Sequence, residues 1–376
     1  MRYIGNITFH SSHNYGSVLQ AYALQNAVKS IIDCKYEIID FSNKNQRDMY
    51  SIFYKNNSLK NICRNIRIIL YKYKVVKSRY ELFNKFINNN LQLSKNNYVT
   101  ESELKNNNLK YDTLICGGDQ IWNVSVSDFD NAYFLTFSDS AKKIAYAPSC
   151  GGENPFKDEK MKKLIIEYLK DFSHISMREE IGKEIFRKFT SKEINLVLDP
   201  TLLLEKKEWN NICSQRLIYE DYIFFYSIDY NNDVMKMVNI ISKRLKLPVI
   251  ILYTTSATYK TIFKGFKMCK YQGPSDFLSL IKYSKLVLTN SFHGTAFSII
   301  YRKSFYVLRG TYDGKINNDN RMATILAKFH LYDREININI ISHFKIKLDL
   351  NYSELEKYIE KERLKSIQFL KNSIYD

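Results

Sequence analysis

Proline and glycine are scarce in this chain, 5 and 12 in 376 residues. That scarcity excludes collagen-like and low-complexity architectures and leaves most of the sequence to regular elements. No apolar run approaches the roughly 18 residues that a membrane-spanning helix needs. Cysteine occurs six times but never as C-x-x-C (Cys34, Cys63, Cys116, Cys150, Cys213, Cys269). Such scatter argues against a disulfide framework and against a structural zinc site, and predicts reduced, semi-buried thiols. Only Cys116 and Cys150 fall near motif residues, so a catalytic thiol is a minor alternative. The N-terminus, Met1-Arg2-Tyr3-Ile4-Gly5-Asn6-Ile7-Thr8-Phe9, has no small-residue cleavage site and reads as a first strand rather than a signal peptide. A cytoplasmic location is the expectation, with peripheral contact at the inner face of the membrane as an option.

Acidic residues are few against basic ones, 39 to 56, for a net charge of +17. An excess of that size points to anionic partners. The joint richness in Lys, Asn, Ile and Tyr is also what an AT-rich genome would encode, which dilutes the signal. The Lys are scattered and no nucleic-acid-binding module is recognisable, so nucleic acid is not an expected partner.

What the chain does have is 45% hydrophobic and 14% aromatic residues, enough for two packed cores of about 150 to 200 residues each. Strand, turn and helix patterns alternate along both halves. In the first half, Arg2 to Phe9 reads as a strand, Ser17 to Ile32 as a helix and Tyr36 to Asp40 as a strand. Further apolar runs precede Gly117-Gly118, Ala147-Pro148 and Asp199-Pro200. In the second half the strands are Tyr222 to Ile228, Pro248 to Tyr253, Leu286 to Leu288 and Phe305 to Leu308. Helices are expected over Val234 to Leu245, from Pro274-Ser275-Asp276 to Tyr283 with Ser275 or Asp276 as cap, and over Gly294 to Tyr301. Alternation of this kind predicts an α/β class with parallel sheets covered on both faces, arranged as two Rossmann-like domains. The boundaries expected are 1–204 and 220–345, joined by a weakly patterned linker at 205–219. An amphipathic helix in 346–376, from Tyr352 to Ile374, is expected to pack back on the first domain.

Between Lys55 and Lys85 stand nine Lys/Arg against one acid, Glu81, interleaved with Ile62, Ile66, Ile69, Leu70, Tyr73 and Val76 at helical spacing. That pattern fits a basic amphipathic helix approaching an anionic membrane or a lipid-phosphate carrier. It fits equally a solvated helix covering a domain edge.

In open parallel sheets, ligands bind beyond the carboxyl ends of strands, where helix N-termini offer free N–H groups. Four segments take that position. In His13-Asn14-Tyr15-Gly16-Ser17 the glycine permits close backbone approach, though such turns are common. In Gly117-Gly118-Asp119-Gln120-Ile121-Trp122-Asn123, Asp119 is a candidate base or else a helix cap, and Trp122 reads as core. In His174-Ile175-Ser176-Met177-Arg178-Glu179-Glu180, Arg178 suits bidentate binding of phosphate or carboxylate, the plainer alternative being a surface ion pair with Glu179 or Glu180. In Thr289-Asn290-Ser291-Phe292-His293-Gly294-Thr295, His293 stands where it can meet an anion and carry a proton, or is simply structural.

Taken in order, Asn14-Tyr15-Gly16-Ser17-Val18-Leu19, Gly117-Gly118-Asp119-Gln120-Ile121-Trp122, Ser176-Met177-Arg178-Glu179, Leu198-Asp199-Pro200-Thr201, Ser291-Phe292-His293-Gly294 and Asn317-Asn318-Asp319-Asn320-Arg321 resemble the polysaccharide pyruvyl transferases. The resemblance covers nearly the whole chain. It implies a GT-B-like pair of Rossmann-type domains with an interdomain cleft, phosphoenolpyruvate as donor substrate, a glycan or lipid-linked oligosaccharide as acceptor, and neither metal nor separate cofactor. It further implies that Arg178 and His293 hold the donor while Ser291 and Gly294 shape the turn. Asn14, Gly16 and Gly118 join them as substrate-binding positions, with His293 and Asp119 as catalytic candidates. Many members carry Arg where this chain has Ser291, which weakens donor binding unless Arg321, Lys315, Arg309 or Lys303 substitutes. The alternative on the same architecture is a glycosyltransferase using a nucleotide sugar.

Overall fold

The computed structural model describes residues 1–151, 154–156, 158–227, 230–253, 265–312, 315–316 and 320–376. They form two compact units. The first comprises Met1–Tyr73, Phe83–Leu204 and Glu360–Asp376, the second Lys74–Leu82 and Glu205–Ile359.

The first unit holds a seven-stranded sheet of β1 (Arg2–Ile7), β2 (Cys34–Phe41), β3 (Leu93–Tyr98), β4 (Thr113–Gly117), β5 (Lys142–Tyr146), β6 (Phe172–Met177) and β7 (Ile194–Leu196). Its spatial order is β3-β2-β1-β4-β5-β6-β7, and every pairing is parallel. Around it lie α1 (Tyr15–Ile31), α2 (Lys44–Met49), α3 (Leu59–Arg67), α4 (Tyr73–Asn90, partly in the second unit), α5 (Glu101–Asn106), α6 (Glu159–Lys170) and α7 (Glu180–Phe186). Central strands of a sheet covered on both faces are apolar without alternation, and all five residues of β4 are buried. Trp122 lies in this core as expected, fully buried, stacked on Phe134 at 4.8 Å and on Phe186 at 4.9 Å.

The second unit repeats the plan. Its strands are β8 (Ile223–Tyr226), β9 (Val249–Ile251), β10 (Lys267–Met268), β11 (Leu286–Thr289) and β12 (Phe305–Arg309), a small antiparallel pair β13 (Thr311–Tyr312) and β14 (Lys315–Ile316), and β15 (Glu335–Asn337). The main sheet runs β10-β9-β8-β11-β12-β15, again wholly parallel. Its helices are α8 (Lys206–Ile212), α9 (Asn232–Leu245), α10 (Pro274–Tyr283), α11 (Phe292–Ile300) and α12 (Asn320–Lys328). In both sheets the strand order reverses between the first strand and the fourth, which is the doubly wound Rossmann arrangement. The α/β class and the two parallel sheets are as the sequence pattern predicts.

Three local expectations differ from the structure. The weakly patterned stretch at 205–219 contains helix α8, whose first turn is closed by Glu208 accepting from the Glu205 N–H at 2.7 Å. Trp209 anchors it, fully buried and edge-on to Phe297 at 4.8 Å. One large aromatic holds this helix, so it shows no apolar stripe in sequence. Helix α10 begins at Gly273, with Pro274 as its first residue and Asp276 accepting from the Gly273 N–H at 2.9 Å. Asp276 therefore closes the turn from inside the helix. No helix follows Asp119 directly, since residues 119–122 form turns.

Helix α13 (Tyr352–Tyr375) buries Leu355, Ile359, Leu370 and Ile374 and leaves Tyr358 and Leu364 exposed at the margins of that stripe. Within the first unit, Ser366 Oγ accepts from the Leu198 N–H at 2.9 Å and Arg363 Nε donates to the Leu202 carbonyl at 3.1 Å.

Candidate active site

In each sheet the reversal of strand order opens a crevice at the carboxyl ends of the two strands that flank it. In the first unit those strands are β1 and β4, and the segments that leave them carry Asn14-Tyr15-Gly16-Ser17 and Gly118-Asp119. Asn14 caps α1, accepting from the Gly16 N–H at 2.9 Å, so both residues organise the helix mouth. Gly118 (φ +66°) and Asp119 (φ +50°) turn the chain sharply in the left-handed region. Gly118 donates to the Tyr146 carbonyl at 3.0 Å and the Asp119 carbonyl accepts from Ser149 at 2.8 Å, which ties this loop to the end of β5.

Ser17 Oγ donates to Asp119 Oδ2, and the Gln120 N–H donates to Oδ1 at 2.8 Å. Asp119 is thereby oriented with 12% of its side chain open. It presents a fixed, partly accessible carboxylate at this edge.

Arg178, expected at this helix mouth as a ligand for phosphate or carboxylate or else as half of a surface ion pair, is enclosed, with 1% of its side chain exposed. Its Nη1 donates to Asp199 Oδ2 at 2.7 Å, its Nε to Glu179 Oε2 at 3.3 Å, and Asp119 Oδ1 stands 3.9 Å from Nη2. Burial pulls the guanidinium pKa down, but Asp199, Glu179 and Asp119 outweigh it and raise it. The ion pair with Glu179 is buried rather than superficial. A cation already faced by three carboxylates is electrostatically satisfied, so an approaching anion meets the carboxylates as well as the guanidinium.

Glu179 and Asp199 complete the cluster. Glu179 accepts from the Cys150 N–H at 3.2 Å, and Asp199 accepts from the Thr201 N–H at 2.9 Å and its Oγ1 at 2.7 Å. Sequence reasoning did not assign either carboxylate a place in the site. The signal available was an acid directly after an apolar run, Leu196-Val197-Leu198 before Asp199-Pro200. Cys116 and Cys150 are both buried, and burial pushes the Cys116 thiol well up, away from the thiolate a nucleophile needs.

In the second unit the flanking strands are β8 and β11. The turn after β11 holds Ser291, His293 and Gly294, with Ser291 at the N-cap of α11. The Ser291 N–H donates to Thr289 Oγ1 at 2.9 Å, and that hydroxyl donates to the Tyr226 carbonyl of β8 at 2.7 Å, locking the turn to the crevice strand. A Cβ on Gly294 would collide with Thr289 Oγ1, so glycine is required by close packing. His293 lies in the first turn of α11, nearly buried, its ring edge-on to Phe292 at 5.2 Å. An N-terminal helical turn favours anions through its N–H groups and dipole.

The cations offered in place of the missing arginine separate by position. Lys303 precedes β12 and so stands at the opposite edge of the sheet from His293; burial, then Lys206 and Lys285, lower its pKa. Arg309 is buried and bound through Nε and Nη2 to Glu335 at 2.9 Å. Lys315 lies on β14 and Arg321 in the first turn of α12, both following the carboxyl end of β12. Arg321 is half-buried, while the side chain of Lys315 and the whole of Asn317-Asn318-Asp319 lie outside the described residues. Among the described residues no cluster of His, Cys, Asp and Glu suits a metal ion.

Comparison with known proteins follows the same lines. Over 96% of its length the chain superposes on 92% of the UDP-GlcNAc 2-epimerase of Methanocaldococcus jannaschii, with TM-score 0.53 and 13% identity. Over 100% of its length it superposes on 98% of the UDP-N-acetylglucosamine 2-epimerase of Rickettsia bellii, with TM-score 0.52 and 9% identity. At such identities the likeness establishes the GT-B-like fold alone. No match was found among curated proteins. The model of one family, polysaccharide pyruvyl transferase, matches residues 14–312. That span begins at the cap of α1, includes both crevice turns and the Arg178 cluster, and ends at β13; the chain belongs to the polysaccharide pyruvyl transferase family.

Proposed function

We propose that the chain transfers the pyruvyl group of phosphoenolpyruvate onto two hydroxyls of a sugar in a cell-surface polysaccharide or its lipid-linked precursor, forming a cyclic ketal and releasing phosphate. The observation that carries this reading is the family match over residues 14–312, with the His293-Gly294 turn inside it at a crevice edge.

The chemistry balances without a redox partner. Protonation of the donor's methylene carbon makes a methyl group and an oxocarbenium-like centre. One sugar hydroxyl adds to that carbon, the C–O bond to phosphate breaks, and the second hydroxyl closes the ring. Of the two hydroxyl protons, one is balanced by the new methyl C–H and one leaves with phosphate. The reaction therefore asks for an acid, a base and positive charge near the departing phosphate. His293 is assigned as acid or phosphate ligand, aided by the N–H groups of α11 and by Lys315 and Arg321. Asp119 is assigned as base. Ser291 and Gly294 shape the turn, while Asn14, Gly16 and Gly118 let backbone approach the ligand. Arg178 is assigned a positioning role, holding Asp119 through the buried carboxylate cluster.

The test is phosphate release from phosphoenolpyruvate with a glycan acceptor, together with product mass. A pyruvyl ketal without added hexose is expected. Replacing His293→Ala is expected to lower turnover by at least about 100-fold while the unfolding midpoint holds. Full turnover in that variant removes His293 from the chemistry. Calorimetric binding of a nucleotide sugar, with none of phosphoenolpyruvate, overturns the donor.

A further inference from the structure

The segment from Met49 to Tyr73 takes no part in the crevices, yet its surface is unlike the rest of the first unit. Leu59 is 82% exposed, Leu70 64% and Ile69 58%, with Ile62 and Ile66 open beside them. Leu59, Ile62 and Ile66 recur at i, i+3 and i+7 along one face of α3, and Ile69 and Leu70 follow in the π-helical turn Ile68–Lys72. Isolated exposed aliphatics are ordinary, but a continuous group marks a surface that meets something.

The scaffold beneath them is well tied. Asn65 is buried, takes the Tyr54 N–H at 2.9 Å, and donates to the Tyr54 carbonyl and to Asn56 Oδ1, each at 2.8 Å. Phe53 stacks on Tyr73 at 6.1 Å, and Ile68 turns inward. Helix α3 and the turn after it thus spend an amide and one isoleucine on the protein, and α3 turns its aliphatic face outward.

Charge decides what fits that face. No Asp or Glu occurs between Met49 and Tyr80, while Lys60, Arg64 and Arg67 stand exposed along α3. Nucleic acid would use the cations but not the aliphatic face. A second copy meeting it across a two-fold axis would bring like charge to like charge. An anionic bilayer uses both, because aliphatic side chains enter the headgroup boundary while guanidinium and ammonium groups remain at the phosphates. We propose that this surface docks on an anionic lipid bilayer, with α3 lying in the membrane plane. The proposal goes beyond the pyruvyl-transfer reading and does not depend on it.

The test is co-sedimentation of the full chain with vesicles of phosphatidylcholine alone or containing about 30% phosphatidylglycerol. Wild type is expected to bind the anionic vesicles at least tenfold more tightly than the neutral ones. A Lys60→Gln, Arg64→Gln, Arg67→Gln variant is expected to lose roughly 100-fold of that affinity at low salt. An Ile66→Ser, Ile69→Ser, Leu70→Ser variant is expected to lose binding to the anionic vesicles while its urea unfolding midpoint is unchanged. If the aliphatic variant fails to fold, the charge variant still decides. Equal binding to both vesicle types, no binding, or an unaffected charge variant overturns the proposal. So does a dimer in light scattering that the aliphatic variant abolishes.

Discussion

Removing the Arg178 guanidinium while keeping its bulk, Arg178→Met, tests whether that residue is an electrostatic keystone. Its charge sits 2.7 Å from Asp199, 3.3 Å from Glu179 and 3.9 Å from Asp119, all within buried surroundings. At an effective dielectric near 20, unit charges about 4 Å apart attract by about 4 kcal/mol. Much of that offsets desolvation, and breaking a buried pair by deleting one partner costs about 3–5 kcal/mol. The variant leaves three carboxylates facing one another, so the upper half of that range is expected. The chain has two tryptophans, Trp122 in the first unit and Trp209 in the second. In a Trp209→Phe background, urea unfolding followed by fluorescence reports on the first unit alone. Asp199→Asn is the companion variant, because it keeps the Oδ1 acceptor for Thr201 while removing the charge. The double variant is expected to lose less than the sum of the singles by more than about 1 kcal/mol. A loss under about 1 kcal/mol for Arg178→Met, or strict additivity with Asp199→Asn, refutes the keystone argument and frees Arg178 to act as a ligand for the donor.

Gly118→Ala is expected to destabilise the first unit by roughly 2–4 kcal/mol, combining left-handed backbone strain with overpacking. The new Cβ would run into Gln20 Oε1, and Gln20 is pinned by its own bonds to Thr8 Oγ1 at 2.7 Å and the Ser17 carbonyl at 2.9 Å. Urea midpoints in the same reporter background check it, and a neutral result sinks the packing account. Asp128→Asn is expected to stabilise the protein at pH 7, because burial raises the Asp128 pKa above its ordinary 3.8. A raised carboxyl binds its proton more tightly folded than unfolded, so wild type loses stability as pH rises above 3.8. The advantage of the variant should therefore vanish as pH falls toward 4, which paired thermal melts across that window can measure. An advantage that grows toward low pH contradicts the sign.

The His293 and bilayer experiments above address the two halves of the biology separately. One follows phosphate released in solution; the other follows protein on vesicles. Neither result substitutes for the other.

The sequence by itself determined the α/β class, the parallel character of both sheets and the turns that leave their strands. Each of those is written locally: Leu114-Ile115-Cys116 before paired glycines, Leu286-Val287-Leu288 before Asn290-Ser291, and His13-Asn14-Tyr15-Gly16-Ser17 after the first strand. Exposure on the basic segment was half legible. The Lys/Arg excess and aliphatic spacing are periodic, but whether those aliphatics face inward or outward depends on what packs against the helix. Only the tertiary structure decided what surrounds Arg178. Its partner Asp199 is 21 residues away, and Asp119 takes a hydroxyl from Ser17 at a separation of 102. Coulomb attraction and desolvation depend on distance through space and on burial, and neither has a period along the chain. An arginine at a strand end therefore reads as an anion ligand or as half of an ion pair with its neighbour Glu179, and only folding adds Asp199 and Asp119 to it.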